Sequence, residues 1–213
     1  KEKTEIMESI ILTTTKDYVL VCKPAGFLSE KAENAPSCPD EIEKALGKTP
    51  YTVHRLDRNT EGLMVYALTK QAAAEFSRII AEGKFKKCYR ALVTPDDTLP
   101  EEGEMRDYLY FDRRRDKSFV VGGDRKGAKL AVLRYRLGEK TEIKGKSVRA
   151  AYIELETGRT HQIRVQFGSR KSPLAGDGKY GSRINYSGVS LTAVKLSFPW
   201  GGKEVVHSLS DFA

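Results

Sequence analysis

The sequence has no long apolar run. Nothing in it approaches the roughly 18 consecutive apolar residues of a membrane-spanning helix, and its longest runs, such as Ile10 to Leu12 and Tyr18 to Cys22, are strand-sized. A helical membrane span is excluded. Cysteine is scarce as well: Cys22, Cys38 and Cys88 are odd in number and form no C-x-x-C pair, which argues against a disulfide scaffold and a structural zinc site. His54, His161 and His207 stand at no metal-ligand spacing, so no metal is expected. Neither G-x-x-x-x-G-K-[ST] nor G-x-G-x-x-G occurs, leaving a nucleotide cofactor without support. The opening KEKTEIMESIIL is rich in charge and lacks the apolar core and small-residue cleavage site of a secretory signal, so the chain reads as cytoplasmic.

Positive charge is what the chain has in excess. Across 213 residues, Lys and Arg number 37 against 29 Asp and Glu, a net charge of +8 that would attract phosphate backbones or anionic lipid. Hydrophobic residues make up 39% of the chain, enough to bury a core rather than stay disordered. The length allows one large domain or two small ones. Strand-like patterning continues on both sides of the acidic, proline-containing stretch from Pro95 to Gly103, so that stretch reads as a surface loop and the chain as one domain over residues 1–213.

Periodicity predicts strands at residues 10–13 and 18–22, a short helix from Asp40 to Leu46 stopped by Gly47, a strand from Tyr51 toward Leu56, and another from Leu63 to Leu68. Thr69 suits the N-cap of a helix over Lys70 to Ala81, whose Ala72, Ala73, Phe76, Ile79 and Ile80 share one face. Phe85 to Val93 reads as a strand and residues 106–148 as several short strands broken by glycine. Ala150 to Leu155 is a further strand, Thr160 to Phe167 a short helix, Ser169 to Ser190 a long loop, and Val189 to Phe198 a last strand. Strands outnumber helices without alternating with them. The expected fold is therefore α+β, a mixed and largely antiparallel sheet flanked by helices and loops.

Two segments could carry chemistry. In Val53 to Leu63 a strand end leads into a loop with Asp57 between Arg55 and Arg58, and a carboxylate so placed can act as nucleophile or base. It can equally form an Asx-turn that satisfies loop amides, with Gly62 supplying a positive φ. In Thr157 to Arg164, Thr160 could cap a helix whose first turn holds His161, Gln162 and Arg164, making an anion site with Arg159. An ordinary basic surface helix would look the same, and His161 alone would suit a structural role.

Taken in order along the chain, these segments resemble RluA-type RNA pseudouridine synthases. Lys23-Pro24-Ala25-Gly26 is similar to that family's K-P-x-G turn, and His54-Arg55-Leu56-Asp57 with Thr60, Gly62 and Leu63 to its HRLDxxTxGL signature. Lys87 to Val93 resembles its K-x-Y-x-A-L-V strand, Gly158 to Arg164 its G-R-T-H-Q-I-R segment, and Gly176-Asp177 with Tyr180-Gly181 its G-D-x-x-Y-G. Two positions depart from the family: Thr192 stands where it usually has His in L-H-A, and Glu61 where a small residue is common. Only 16 residues precede Asp17, too few for the S4 RNA-binding domain that the family often carries, so none is expected within this chain.

The resemblance implies the pseudouridine synthase catalytic fold and the isomerisation of uridine to pseudouridine in ribosomal or transfer RNA, without cofactor or metal. It implies Asp57 as the catalytic carboxylate, attacking C1′ or abstracting the 2′ proton, Tyr89 against the uracil, and Arg164 ion-paired with Asp57. Arg55 would fill the gap left by the flipped base, and Arg58, Arg159, His161 and Lys179 would contact RNA. Tyr89 could instead be a core aromatic and Arg55 a phosphate contact. A monomer with RNA as its partner is expected. The competing readings are a catalytically inactive RNA-binding module of the same fold and a glycoside hydrolase, which usually needs two carboxylates about 5 to 10 Å apart, where Glu61 is a poor second candidate.

Overall fold

A computed structural model describes residues 10–209. The expectation drawn from the charged N-terminal stretch falls on residues 1–9, outside the described residues. The chain separates into two compact units, one made of residues up to Lys87 together with those from Thr192 onward, the other of Cys88–Leu191. Among the described residues, no helix is long and apolar enough to cross a membrane.

In the first unit, β1 (Ile11–Thr14), β2 (Tyr18–Lys23), β4 (Glu61–Ala67) and β10 (Leu191–Trp200) lie side by side in that order. The short β3 (Tyr51–Thr52) pairs with the far end of β4, and β11 (Lys203–Ser208) with β10. The β2–β4 ladder is antiparallel and the β4–β10 ladder parallel, so the sheet is mixed, as the patterning implies. Helix α1 (Cys38–Leu46) has Ser37 as its N-cap, accepting from the Asp40 amide, and ends in a left-handed Gly47. Helix α2 (Lys70–Ala81) begins where predicted, because the Thr69 hydroxyl accepts from the Ala72 amide, one of the four donors a helix start leaves orphaned. Its apolar face meets the sheet through Phe76 and Ile79, both fully buried, beside Tyr18, Leu63, Val65 and Phe198.

The second unit holds β5 (Lys86–Val93), β6 (Glu102–Asp112), β7 (Lys117–Val121), β8 (Lys129–Ile143) and β9 (Lys146–Leu155), in the order β5-β9-β8-β6-β7. Helix α3 (Gln162–Ser169) and one 3-10 turn at Gly178–Tyr180 complete it.

The structure changes four expectations. The Tyr51 strand stops at Thr52, and residues 53–60 run on as a loop. Over 106–148, β7 is short as expected, but β6 and β8 run to 11 and 15 residues, and β8 passes through Gly138 with a bulge between Leu137 and Lys140. A Cβ on Gly138 would come within 2.6 Å of the Tyr152 ring, so this glycine admits an aromatic neighbour instead of ending a strand. Helix α3 begins at Gln162, and Thr160 is not its cap: His161 holds the N-cap position in a left-handed backbone (φ 54°) without a capping side chain. Past Phe198 the chain continues into a hairpin, β10–β11, turned by Gly201 and Gly202, both at positive φ.

Candidate active site

In the first unit the chemistry-bearing loop is pinned from below. Lys23, fully buried at the end of β2, donates to three backbone carbonyls: Pro24 at 3.0 Å, Phe27 at 2.8 Å and Arg58 at 3.0 Å. One ammonium thereby ties the Pro24-to-Phe27 turn to the loop that carries Asp57. Burial pushes this ammonium down to about 8, against Cys38, Asp57 and Glu61, which favour its charged form. The same two segments are stitched again where the Gly26 amide donates to the Arg58 carbonyl at 2.8 Å and Arg58 Nε returns a bond to the Gly26 carbonyl at 3.1 Å. Buried Ser29 donates to the Leu56 carbonyl at 2.8 Å and accepts from its amide at 3.0 Å. Asp57 is half-buried on this fixed backbone, its carbonyl accepting from the Thr60 amide at 3.0 Å.

Gly62 follows at φ 110°, where β4 runs against β10. A Cβ there would stand 2.6 Å from the Ala193 nitrogen and closer still to its carbonyl oxygen, so the position requires glycine. Thr192 and Glu61, the two residues that depart from the family pattern, hydrogen-bond to each other at 3.0 Å. His54 accepts from the Val65 amide through Nε2 at 3.1 Å and lies against Phe85. Burial, with Lys87 nearby, pushes its imidazole down to about 3, and it therefore works as a neutral structural acceptor. Arg55 is exposed and pairs with Glu30 at 3.2 Å.

In the second unit, Arg164 is buried on α3 and grips Asp177 with two nitrogens, Nε to Oδ2 at 2.7 Å and Nη2 to Oδ1 at 2.9 Å, with side-chain exposures of 7% and 1%. The 3-10 turn that follows Asp177 brings Tyr180 beneath this pair, with the guanidinium carbon 5.1 Å from its ring centre. Its hydroxyl accepts from the Ser118 amide at 2.8 Å and lies 2.9 Å from His161 Nδ1. Burial pushes the Tyr180 phenol up to about 12, against the Ser118 bond and the Arg164 charge. Tyr89, on β5, is 5% exposed. Arg159 is exposed, its Nε donating to the Leu130 carbonyl at 2.8 Å, and Lys179 reaches Asp116 with contacts of 2.7 and 2.6 Å.

In the first unit Asp57, Arg55 and Arg58 share the pinned loop. In the second, Arg164 and His161 belong to a buried cluster with Asp177 and Tyr180, two residues to which the sequence assigns no task. Both stand in the Gly176 to Gly181 motif, and a buried polar role for them is not visible in periodicity. Lys23 was also missed: only the Lys-Pro-x-Gly spacing marks it.

A family model described as RNA pseudouridylate synthase matches residues 17–169. Among curated relatives, an uncharacterized RNA pseudouridine synthase of Haemophilus influenzae is 29% identical over 91% of this chain and 84% of its own length. A tRNA pseudouridine synthase C of Vibrio parahaemolyticus is 31% identical over 77% and 70%. A ribosomal large subunit pseudouridine synthase D of Neisseria meningitidis is 32% identical over 89% of this chain, which spans only 50% of that relative. Among solved structures, human RNA pseudouridylate synthase domain containing 1 superposes with a TM-score of 0.82 over 94% of this chain and 82% of its own at 22% identity, a likeness of fold.

Proposed function

Since this chain belongs to the RNA pseudouridylate synthase family and is an isomerase that converts uridine to pseudouridine in RNA, we propose that Asp57 is its catalytic carboxylate and that its substrate is a ribosomal or transfer RNA. The observation that supports this most is the pinned loop. Within the matched span, one half-buried carboxylate rides on backbone fixed by Lys23 and Ser29, which suits a group that must meet an anomeric carbon at a set distance.

The reaction breaks the bond from C1′ to uracil N1, turns the base, and joins C5 to the same carbon. The C5 proton departs and N1 takes one up, so atoms balance without oxidant or leaving group. Asp57 either bonds to C1′ or accepts the 2′ proton. Tyr89 lies against the detached uracil, and Arg164 balances the carboxylate's charge. Asp177 holds Arg164 in one orientation by its two-point grip, and Tyr180 supports it from beneath. Arg55 occupies the place of the flipped base, while Arg58, Arg159, His161 and Lys179 serve RNA binding. For His161, 8% exposed, that service is indirect, through Tyr180. Both units serve one catalytic domain, working as a monomer in the cytoplasm.

Asp57→Asn tests the assignment, because an amide keeps the shape but can neither attack nor take a proton. Release of tritium from C5-labelled uridine in RNA should disappear, with RNA binding kept within about tenfold. Tritium release at the parent rate would remove Asp57 from the mechanism.

A further inference from the structure

The second unit carries a groove that the reaction does not use. It has a volume of about 420 Å³, within the range of ligand sites, and it is floored by Pro173, Ile184 and Tyr180 and rimmed by Lys146, Lys171 and Arg183. No carboxylate lines it. Three other basic residues of this unit are held by carboxylates, Arg170 by Asp107, Lys179 by Asp116 and Arg149 by Glu101. Among the described residues no ion pair joins Lys146, Lys171 or Arg183 to a carboxylate, although the Lys171 charge helps to lower the Asp96 carboxyl.

The rim is built rather than incidental. Lys146 Nζ donates to the Arg183 carbonyl at 2.7 Å, tying the β8–β9 turn to the 182–190 loop. Lys171 follows the C-cap of α3 in a left-handed conformation, φ 58°, with its amide donating to the Gly168 carbonyl at 3.3 Å. Gly168 lets α3 close onto the wall, since a Cβ there would lie 2.9 Å from the Tyr180 carbonyl. Three basic side chains around an apolar floor, with no carboxylate in the lining, fit a phosphate and its sugar.

We propose that this groove binds one segment of the RNA backbone, away from the reacting nucleotide. The proposal rests on the RNA-modifying function, and Tyr180, whose ring lies beneath the Arg164–Asp177 pair, is among the residues that line the groove.

The test is the triple variant Lys146→Gln, Lys171→Gln, Arg183→Gln, measured for RNA binding at several salt concentrations and for turnover. Its log-log salt slope should be shallower by about 2, from roughly 0.7 per lost single-strand contact, and kcat/KM should fall at least tenfold, carried by KM. Lys171→Arg should keep the parent slope. Should the triple variant prove unstable on melting, Lys171→Gln and Arg183→Gln alone should each lower the slope by about 0.7. Unchanged slope and unchanged KM would overturn the groove. If the parent bound RNA but made no pseudouridine, the function would fail instead, and the binding slopes would still judge the groove.

Discussion

Arg164 and Asp177 are the residues on which the second unit has staked most, because both charges are out of water and each is satisfied chiefly by geometry. Removing one member of such a pair typically costs about 3 to 5 kcal/mol, since the survivor stays buried and uncompensated. Arg164→Met should therefore lose stability on this scale in urea or thermal unfolding, along with activity, as Asp177 at 1% exposure cannot reach water. Arg164→Lys keeps the charge but not the planar two-point contact, and should fold and turn over slowly. A melting temperature for Arg164→Met equal to the parent's would contradict the structure. His54 gives a second residue-scale outcome, with a sign that can be worked out. Its folded-state value near 3 lies below the unfolded 6.5, so between these values the unfolded chain binds more protons and stability falls as pH falls. His54→Gln retains an acceptor for the Val65 amide and removes the titration. The stability advantage of the parent over this variant should shrink below pH 6.5 by at most about 1.4 kcal/mol per pH unit, less because the ring is partly exposed. Parallel stability curves from pH 7 to 5 would show that His54 titrates in the folded protein as it does unfolded.

Between elements, the tightest fit is where β4 meets β10 at Gly62. Gly62→Ala must both hold a positive φ and push the Ala193 backbone away, and should cost about 2 to 4 kcal/mol in unfolding free energy. A loss below about 0.5 kcal/mol would mean that the strands are not so close. This same glycine shows what the sequence could and could not disclose. Its need for positive φ follows from the turn chemistry of residues 57–62, but the strand it must clear lies about 130 residues away and leaves no local mark. Helix α2 was legible, since its Thr69 cap and its apolar face are both local signals. Helix α3 was legible as a short helix but not in its start: Gln162 to Phe167 are all buried, so no polar face fixes its phase, and His161 opens it from a left-handed conformation that propensity disfavours. Asp57 stands out as a candidate by its setting between arginines and by the motif it completes. Asp177 and Lys23 were not legible from pattern, because a buried charge is recognised only by partners that the fold brings to it.

At the scale of the whole molecule, a charge of +8 gives RNA a general attraction, while the ion pairs decide where that charge is left unspent. Arg113 to Arg115, Lys84 to Lys87 and Arg170-Lys171 all stand out in the sequence as basic clusters. Arg170, Lys84 and Arg115 are each matched to a carboxylate, by Asp107, Glu82 and Asp112, which leaves Lys171 of the third cluster to the groove. The glycoside hydrolase and the inactive RNA-binding module share this surface and are separated from an isomerase only by the fate of the base. The most direct measurement is therefore to incubate the purified chain with unmodified transfer and ribosomal RNA transcripts carrying C5-tritiated uridine, following tritium release, RNA mass and free uracil together. An isomerase releases tritium in proportion to pseudouridine formed, leaves RNA mass otherwise unchanged and liberates no uracil. Free uracil would make the chain a hydrolase, and binding without tritium release from any of these transcripts would contradict the account.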